Sequence, residues 1–195
     1  MLSHKKSLNI LRKTNALLEG HFVLSSGLHS SKYIQCAKLL SQPHHAGEIC
    51  KSFAKKIKKN FKKFDIILSP AMGGIIIGYE IGKILKKETI FCERVKGKFT
   101  LRRGFSINKG AKVLIVEDVI TTGKSSMECL KLIKNAKANL VGFAAIIDRS
   151  SKKTLKIKKS IVSHLKINVP TFKKNELPKY LSSIPITTPG SRFIK

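Results

Sequence analysis

The sequence predicts an α/β fold, in which helices flank a central, mostly parallel sheet and a small hairpin region lies near the N-terminus. Two observations favour this fold class. Short apolar runs alternate with amphipathic helical patterns along residues 46–147, as in sheets that carry helices on their faces. Several runs end in Gly-rich or hydroxyl-rich turns, and open α/β sheets bind ligands where such turns follow the strands. A length of 195 residues, 42% of them hydrophobic, favours a single domain over residues 1–195.

At the start of the chain we predict a helix, a hairpin and a second helix. Leucines near helical spacing predict a helix over residues 7–19. Residues 22–35 predict a β-hairpin with a glycine in its turn. Apolar residues at i, i+4 and i+8 predict an amphipathic helix over residues 46–60. His44 and His45 are expected just before that helix, and the sequence assigns them no function.

The middle of the chain predicts a strand over residues 64–68, a helix over 75–85 and a short strand over 89–92. Glycines in the turn 69–74 would let the backbone approach a ligand closely. Residues 93–104 are charged and contain glycine, which predicts a solvated loop. Mobile loops of this kind can bring cations to a site as it closes.

The stretch 113–126 is the starting point for predicting the second half of the chain. Its apolar start predicts a buried strand, which runs into the adjacent carboxylates Glu117 and Asp118 and then into a hydroxyl-rich turn. A helix is predicted over residues 127–136 and another buried strand over 140–147. Beyond that strand the signal weakens.

Near the C-terminus, segments 154–157 and 161–169 predict the two strands of a terminal hairpin added to the sheet. Arg149 directly follows the strand 140–147. Because a guanidinium matches a carboxylate bidentately, Arg149 is a candidate carboxylate clamp. An ordinary salt bridge with Asp148 or another acid is the alternative.

The stretch 113–126 combines two kinds of chemistry. Backbone amides of a Gly-containing turn at a helix start, with Thr and Ser hydroxyls among them, can hold a phosphate monoester. Adjacent carboxylates can accept hydrogen bonds from vicinal hydroxyls. The combination predicts a ligand with a ribose diol and a 5′-phosphate. A Walker A loop is excluded because Asp118 stands where that motif needs glycine, and no G-x-G-x-x-G follows a candidate strand.

Composition limits the remaining function classes. The net charge of +28 would attract polyanions. However, the basic residues are 33 Lys and 6 Arg spread over the chain, with no Trp, whereas nucleic-acid readers concentrate Arg and aromatics on one face. We therefore interpret most of the lysines as solvated surface rather than as a nucleic-acid-binding face. No apolar run approaches the ~20 residues that span a bilayer, and no secretory signal is expected. Four widely spaced cysteines without a C-x-x-C pair predict a reduced, cytoplasmic protein.

The stretch 113–126 resembles the phosphoribosyl pyrophosphate (PRPP) motif of type I phosphoribosyltransferases. Four further segments make the chain similar to the bacterial orotate phosphoribosyltransferases nearly end to end: residues 20–30, 69–76, 100–105 and 189–192. The resemblance implies the type I phosphoribosyltransferase fold, with a hood formed by residues of about 20–40 and the C-terminal segment. It also implies transfer of a 5-phosphoribosyl group from PRPP to orotate, Mg²⁺ carried by PRPP rather than by an assigned protein ligand, and a homodimer that shares a loop across its interface.

The resemblance also implies a role for each site residue. Lys98 and Asp118 are the expected catalytic residues. The other expected PRPP contacts are Arg94, Lys96, Glu117, Thr121, Thr122, Gly123, Lys124 and Ser125. The expected pyrophosphate loop is Ala71, Met72, Gly73 and Gly74, with Gly73 standing where other branches carry Lys. The expected orotate contacts are Thr121, Arg149, Tyr33 and Ile34.

Two other functions remain open from the sequence. A phosphoribosyltransferase for a purine or another nucleobase would share the PRPP site and differ around Arg149 and the hairpin. An RNA-binding regulator on the same fold is favoured only by the charge.

Overall fold

The structure is a computed structural model that describes residues 1–24, 26–151, 155–157 and 161–187. Ser25 and the motif at residues 189–192 lie outside the described residues. The helices within the described ranges are α1 (His4–Lys13), α2 (Cys36–Leu40), α3 (Pro43–Asn60), α4 (Gly73–Leu85), α5 (Lys124–Asn135) and α6 (Lys179–Ser182). The strands there are β1 (Leu17–Val23), β2 (His29–Ile34), β3 (Ile66–Pro70), β4 (Glu88–Val95), β5 (Lys98–Leu101), β6 (Lys112–Ile120), β7 (Asn139–Asp148), β8 (Ile161–Lys166), β9 (Thr171–Phe172) and β10 (Ile186–Thr187).

The central sheet has six strands in the order β5-β4-β3-β6-β7-β8. All neighbours are parallel except β4 and β5. Side chains alternate between its faces: Leu114 and Val116 of β6 join the core under α3 and α4, whereas Val113 and Ile115 join the core under α5. The prediction of a mostly parallel sheet flanked by helices is therefore confirmed. No helix of the described ranges is long and apolar enough to cross a membrane.

A second sheet of four strands, in the order β10-β1-β2-β9, stands beside the first. The hairpin β1–β2 forms its centre, and Leu17 pairs with Ile34. This sheet combines the predicted hairpin with short strands from the C-terminal segment. The proposal of one domain over residues 1–195 stays a prediction.

The helix predicted over residues 7–19 is shorter in the structure. It begins after Ser3, whose hydroxyl accepts a hydrogen bond from the Lys6 amide, and ends at Lys13. Residues 17–19 belong to β1 instead, because pairing with β2 buries Leu17 and satisfies the backbone there.

Residues 93–104, predicted as a solvated loop, form part of a β-hairpin. Strand β4 continues to Val95, and Arg94 pairs with Phe99 in β5. The tight turn places Lys96 and Gly97 at positive φ. Phe99 is buried and its ring lies 4.1 Å from the Arg94 guanidinium carbon, which explains why a charged segment is ordered here.

The predicted terminal hairpin is wrong. Residues 155–157 are not a strand, Thr154 lies outside the described residues, and β8 pairs parallel with β7. The connection between the two strands crosses the end of β6, where the Lys156 amide donates to the Thr122 carbonyl at 2.9 Å. The chain then enters β8 in the same direction as β7, so β8 extends the parallel sheet instead of pairing with residues 155–157 as a hairpin.

Candidate active site

A cavity of about 560 Å³ opens at the carboxyl end of β6. It is lined by Arg94, Glu117, Val119, Ile120, Thr121, Thr122, Gly123, Lys124 and Ser125. The structure thus gathers the hydroxyl-rich turn, one carboxylate and one cation of the hairpin β4–β5. This is the edge of a parallel sheet at which ligands bind.

The turn between β6 and α5 depends on Gly123, which has a φ of +72°. A β-carbon at this position would lie 2.7 Å from Ile157 Cγ1, so glycine is needed for both conformation and space. The Lys124 amide donates to Thr122 Oγ1 at 3.3 Å. The first amides of α5 therefore face the cavity region with hydroxyls among them, an arrangement that binds phosphate monoanions and dianions.

Glu117 is buried, with 6% of its surface exposed. Burial, with a smaller contribution from the Asp118 charge, raises the pKa of Glu117 to about 7. The buried Ser126 hydroxyl opposes this by donating to Glu117 Oε1. Because the carboxylate is costly to ionise alone, a ligand that donates hydrogen bonds or brings positive charge would bind it favourably.

Asp118 belongs to β6, but its carboxylate lies near the start of α4 and does not line this cavity. Its carboxylate covers Gly73: a β-carbon there would lie 2.6 Å from Asp118 Oδ2. Burial raises the pKa of Asp118, and hydrogen bonds from the Val119 and Asp118 amides oppose the shift. The two adjacent acids therefore flank the end of β6, one next to each helix start.

The predicted pyrophosphate loop joins β3 to α4. The peptide bond between Ala71 and Met72 is cis, and the Ala71 amide donates to the Cys92 carbonyl at 2.8 Å. Gly73 and Gly74 form the first turn of α4, where helix amides lack intrahelical partners. This second helix start can bind an anion beside Asp118.

Arg149 follows β7, and its amide donates to the Ile120 carbonyl at 2.8 Å. Among the described residues, its buried Nε has no hydrogen-bond partner. Burial lowers the pKa of Arg149, whereas interactions with Tyr33 and Cys36 oppose the shift. Asp148 is engaged elsewhere: it accepts from the Ser150 amide at 2.8 Å and lies 3.8 Å from Lys166 Nζ.

The remaining predicted base contacts differ in placement. The Tyr33 ring is half-buried and packs against Phe22, with 5.8 Å between ring centroids. Ile34 is buried in the hydrophobic core, and because successive strand residues point to opposite faces of a sheet, it does not share the face of Tyr33. Tyr33 is thus the hairpin side chain that interacts with Arg149.

The cations of the hairpin β4–β5 are not equivalent. Arg94 lines the cavity and forms an ion pair with Glu128 of α5 at 2.7 Å. Lys96 and Lys98 are exposed on the hairpin and do not line the cavity.

Sequence reasoning missed three residues that support this site. Ser126 orients Glu117, and Glu128 holds Arg94. The buried Cys36 thiol donates to the Asp118 carbonyl at 3.8 Å and also interacts with Arg149. Ser126 belongs to the predicted hydroxyl-rich turn, but its hydrogen bond to Glu117 was not predicted. Nothing in the sequence marks Cys36.

Comparisons with known proteins agree with this geometry. A family model described as a phosphoribosyl transferase domain matches residues 38–182. A protein of Erythrobacter litoralis named orotate phosphoribosyltransferase is 44% identical over 192 residues, covering 98% of this chain and 99% of that protein. A protein of Parvibaculum lavamentivorans with the same name is 43% identical over 194 residues, covering 99% and 100%. The solved orotate phosphoribosyltransferase of Aeropyrum pernix superposes with a TM-score of 0.69 at 22% identity, covering 82% of this chain and 92% of that one.

Proposed function

This chain belongs to the phosphoribosyl transferase family, and from that premise we propose that it transfers the 5-phosphoribosyl group of PRPP to N1 of orotate. The products are orotidine 5′-phosphate and pyrophosphate, in a step of pyrimidine nucleotide synthesis. The observation that carries the choice of orotate is Arg149, whose buried Nε has no partner among the described residues and which interacts with Tyr33. A purine has no carboxylate to pair with this guanidinium.

The 5′-phosphate of PRPP is held by the turn of Thr121, Thr122, Gly123, Lys124 and Ser125. The amides at the start of α5 supply donors, and the helix dipole favours the negative charge. Lys124 adds a cation at the rim. This binding anchors the ribose so that its anomeric carbon lies near the start of α4.

Glu117 and Asp118 accept hydrogen bonds from the ribose hydroxyls. Both are buried enough for their pKa values to be raised, so they bind best to a partner that donates protons or carries positive charge. Mg²⁺ arriving with PRPP would supply that charge, and it would also neutralise the leaving pyrophosphate. Among the described acids, the carboxylates of Glu117 and Asp118 are the ones positioned to bind this Mg²⁺.

Departure of pyrophosphate leaves positive charge on the ribose carbon. Met72, Gly73 and Gly74 at the start of α4 accept the pyrophosphate through main-chain donors. Ala71, the fourth residue of this loop, shapes it by donating its amide to the Cys92 carbonyl. The site aligns nucleophile and leaving group rather than forming a covalent intermediate, so positioning and electrostatics provide the rate enhancement. Asp118, beside the same helix start, stabilises the positive ribose.

We also propose a homodimer that shares the hairpin β4–β5 across its interface. Met72, directly before α4, forms an exposed apolar stripe with Ile76 and Tyr79 of α4, with exposures of 82%, 50% and 65%. A large exposed apolar stripe favours burial against a partner. Lys96 and Lys98 do not line the cavity of their own chain. In the dimer they would reach the partner's pyrophosphate.

A cytoplasmic location is supported by four free cysteines.

The proposed reaction is tested by incubating the protein with PRPP, orotate and Mg²⁺ and measuring orotidine 5′-phosphate by mass spectrometry. Product that appears with Mg²⁺ and disappears with a chelator supports the proposal. Absence of product under conditions where the protein is folded would contradict it.

A further inference from the structure

Three side chains at the start of α3 converge outside the active site. His44, His45 and Glu48 each offer one ligand atom, and these atoms all lie within 4.8 Å of one another. The sequence places the two histidines before a helix, but α3 begins at Pro43. Both histidines therefore lie in its first turn, where the i+4 and i+3 spacings bring them over Glu48.

One carboxylate oxygen is the centre of the group. Glu48 Oε1 lies 3.6 Å from His44 Nε2 and 3.8 Å from His45 Nδ1. Both distances exceed a good hydrogen bond. Ligand atoms around a tetrahedral metal at 2.0–2.1 Å are about 3.4 Å apart, so a small rotation of the side chains would bring these three atoms onto one ion.

His45 Nδ1 is a buried nitrogen without a hydrogen-bond partner among the described residues. A buried polar atom left unpaired is costly, and a bound ion would satisfy it. The partly buried Glu48 carboxylate meets Lys6 of α1 through its other oxygen, Oε2, at 3.5 Å. Lys6 therefore leaves Oε1 free to face the histidines and holds the carboxylate in this orientation.

From this geometry we propose that His44, His45 and Glu48 form a binding site for a divalent transition metal such as Zn²⁺ or Ni²⁺, separate from the phosphoribosyl transfer site. Two imidazoles and one carboxylate suit these ions, whereas Mg²⁺ prefers oxygen ligands. Three protein ligands leave the remaining positions to water. The bound ion ties the first turn of α3 together next to α1, through Glu48 and Lys6.

Two features oppose cation binding and set its strength. The helix N-terminus carries a partial positive charge, and the whole chain has a net charge of +28. The Glu48 carboxylate offsets the dipole locally. The site therefore depends on all three ligands, and loss of any one of them should weaken it strongly.

The test is a calorimetric titration of the untagged, full-length protein with ZnCl₂ and NiCl₂, in the absence of substrates. We expect saturation at one ion per chain, an affinity reduced about tenfold or more by His45→Ala and by Glu48→Gln, and no displacement by excess Mg²⁺. His4→Ala removes an exposed histidine of α1 outside the group and should leave the affinity unchanged.

Cu²⁺ bound to the same variants gives an independent spectroscopic signature. Nitrogen hyperfine coupling in its paramagnetic resonance spectrum should be present in the native protein and reduced in His44→Ala. Absence of saturable binding would overturn the proposal. So would equal affinities in the native, His45→Ala and Glu48→Gln proteins, or a loss confined to His4→Ala. Each readout is a binding measurement, so it does not depend on the transferase reaction.

Discussion

The carboxylate of Asp118 lies directly over the α-carbon of Gly73. A β-carbon added at residue 73 would come within 2.6 Å of Asp118 Oδ2 and 2.8 Å of Asp118 Oδ1. In this chain the Asp118 carboxylate, which we propose to be catalytic, therefore leaves no room for a side chain at residue 73. This close contact between Gly73 and Asp118 packs the start of α4 against the end of β6.

We predict that Gly73→Ala reduces turnover at least about tenfold, because even small displacements of a positioned group cost large factors in rate. The added methyl must push Asp118 aside. Gly47→Ala is the matched control: it lies in α3, and an added β-carbon would meet nothing within 4 Å. That control should keep its activity and gain up to about 1 kcal/mol of stability. Steady-state kinetics of both variants check this, and near-normal turnover in Gly73→Ala would contradict it.

Glu117 should make folding stability depend on pH. Its folded pKa of about 7 lies above the ordinary value of 4.5 because of burial. The folded protein therefore holds a proton that the unfolded chain has lost, so this contribution falls as pH rises from about 4.5 through about 7. The loss amounts to about 3 kcal/mol at most.

The check is urea unfolding of the native protein and Glu117→Gln between about pH 5 and pH 8. The variant should gain stability relative to the native protein as pH rises, since Gln cannot ionise. Glu88→Gln, at an exposed carboxylate on β4, should show no such trend. Parallel pH curves for the native protein and Glu117→Gln would argue against the buried, protonated carboxyl.

Arg149 should act mainly on orotate binding. Loss of a charge-assisted hydrogen bond costs about 1.5–3 kcal/mol, so Arg149→Ala should raise the KM for orotate by about 10- to 150-fold and leave the KM for PRPP close to native. Arg149→Lys keeps the charge but loses the bidentate geometry. Its KM for orotate should lie between those of the native protein and Arg149→Ala. Equal increases in both KM values would instead indicate a general disturbance of the sheet edge.

A shared hairpin predicts complementation between two inactive variants. Lys98→Ala removes one cation of the hairpin β4–β5, and Asp118→Asn removes the proposed catalytic carboxylate. If each site takes its hairpin from the partner, a mixed dimer contains one intact site. Random exchange of subunits should then restore about one quarter of native activity. Mixing the two proteins after brief mild denaturation, with each variant alone as control, measures this, and no recovery would mean that each chain uses its own hairpin.

The features predicted from sequence are those that depend on local pattern. The apolar run at residues 113–116 became the centre of the sheet, and the glycine and hydroxyls after it became the turn of the cavity. The helix 46–60 is α3 with three more residues at its start. In each case propensity, periodicity and turn chemistry agree with the tertiary structure.

What could not be predicted depends on distant partners. Residues 17–19 continue a helical pattern, but pairing of Leu17 with Ile34 makes them a strand. The segment 94–99 is too charged for a core, yet Arg94 packing on Phe99 orders it. Cys36 enters the site only because folding brings it to Asp118. Local sequence patterns carry no information on such contacts.

The most direct test of the central claim is pyrophosphate release from PRPP and Mg²⁺ with orotate, uracil, adenine and hypoxanthine offered separately. Release with orotate alone is the predicted result, because only orotate presents the carboxylate that Arg149 is placed to bind. Release with adenine or hypoxanthine instead would retain the PRPP site and overturn the base assignment. No release with any of the four bases would contradict the proposed transferase reaction itself.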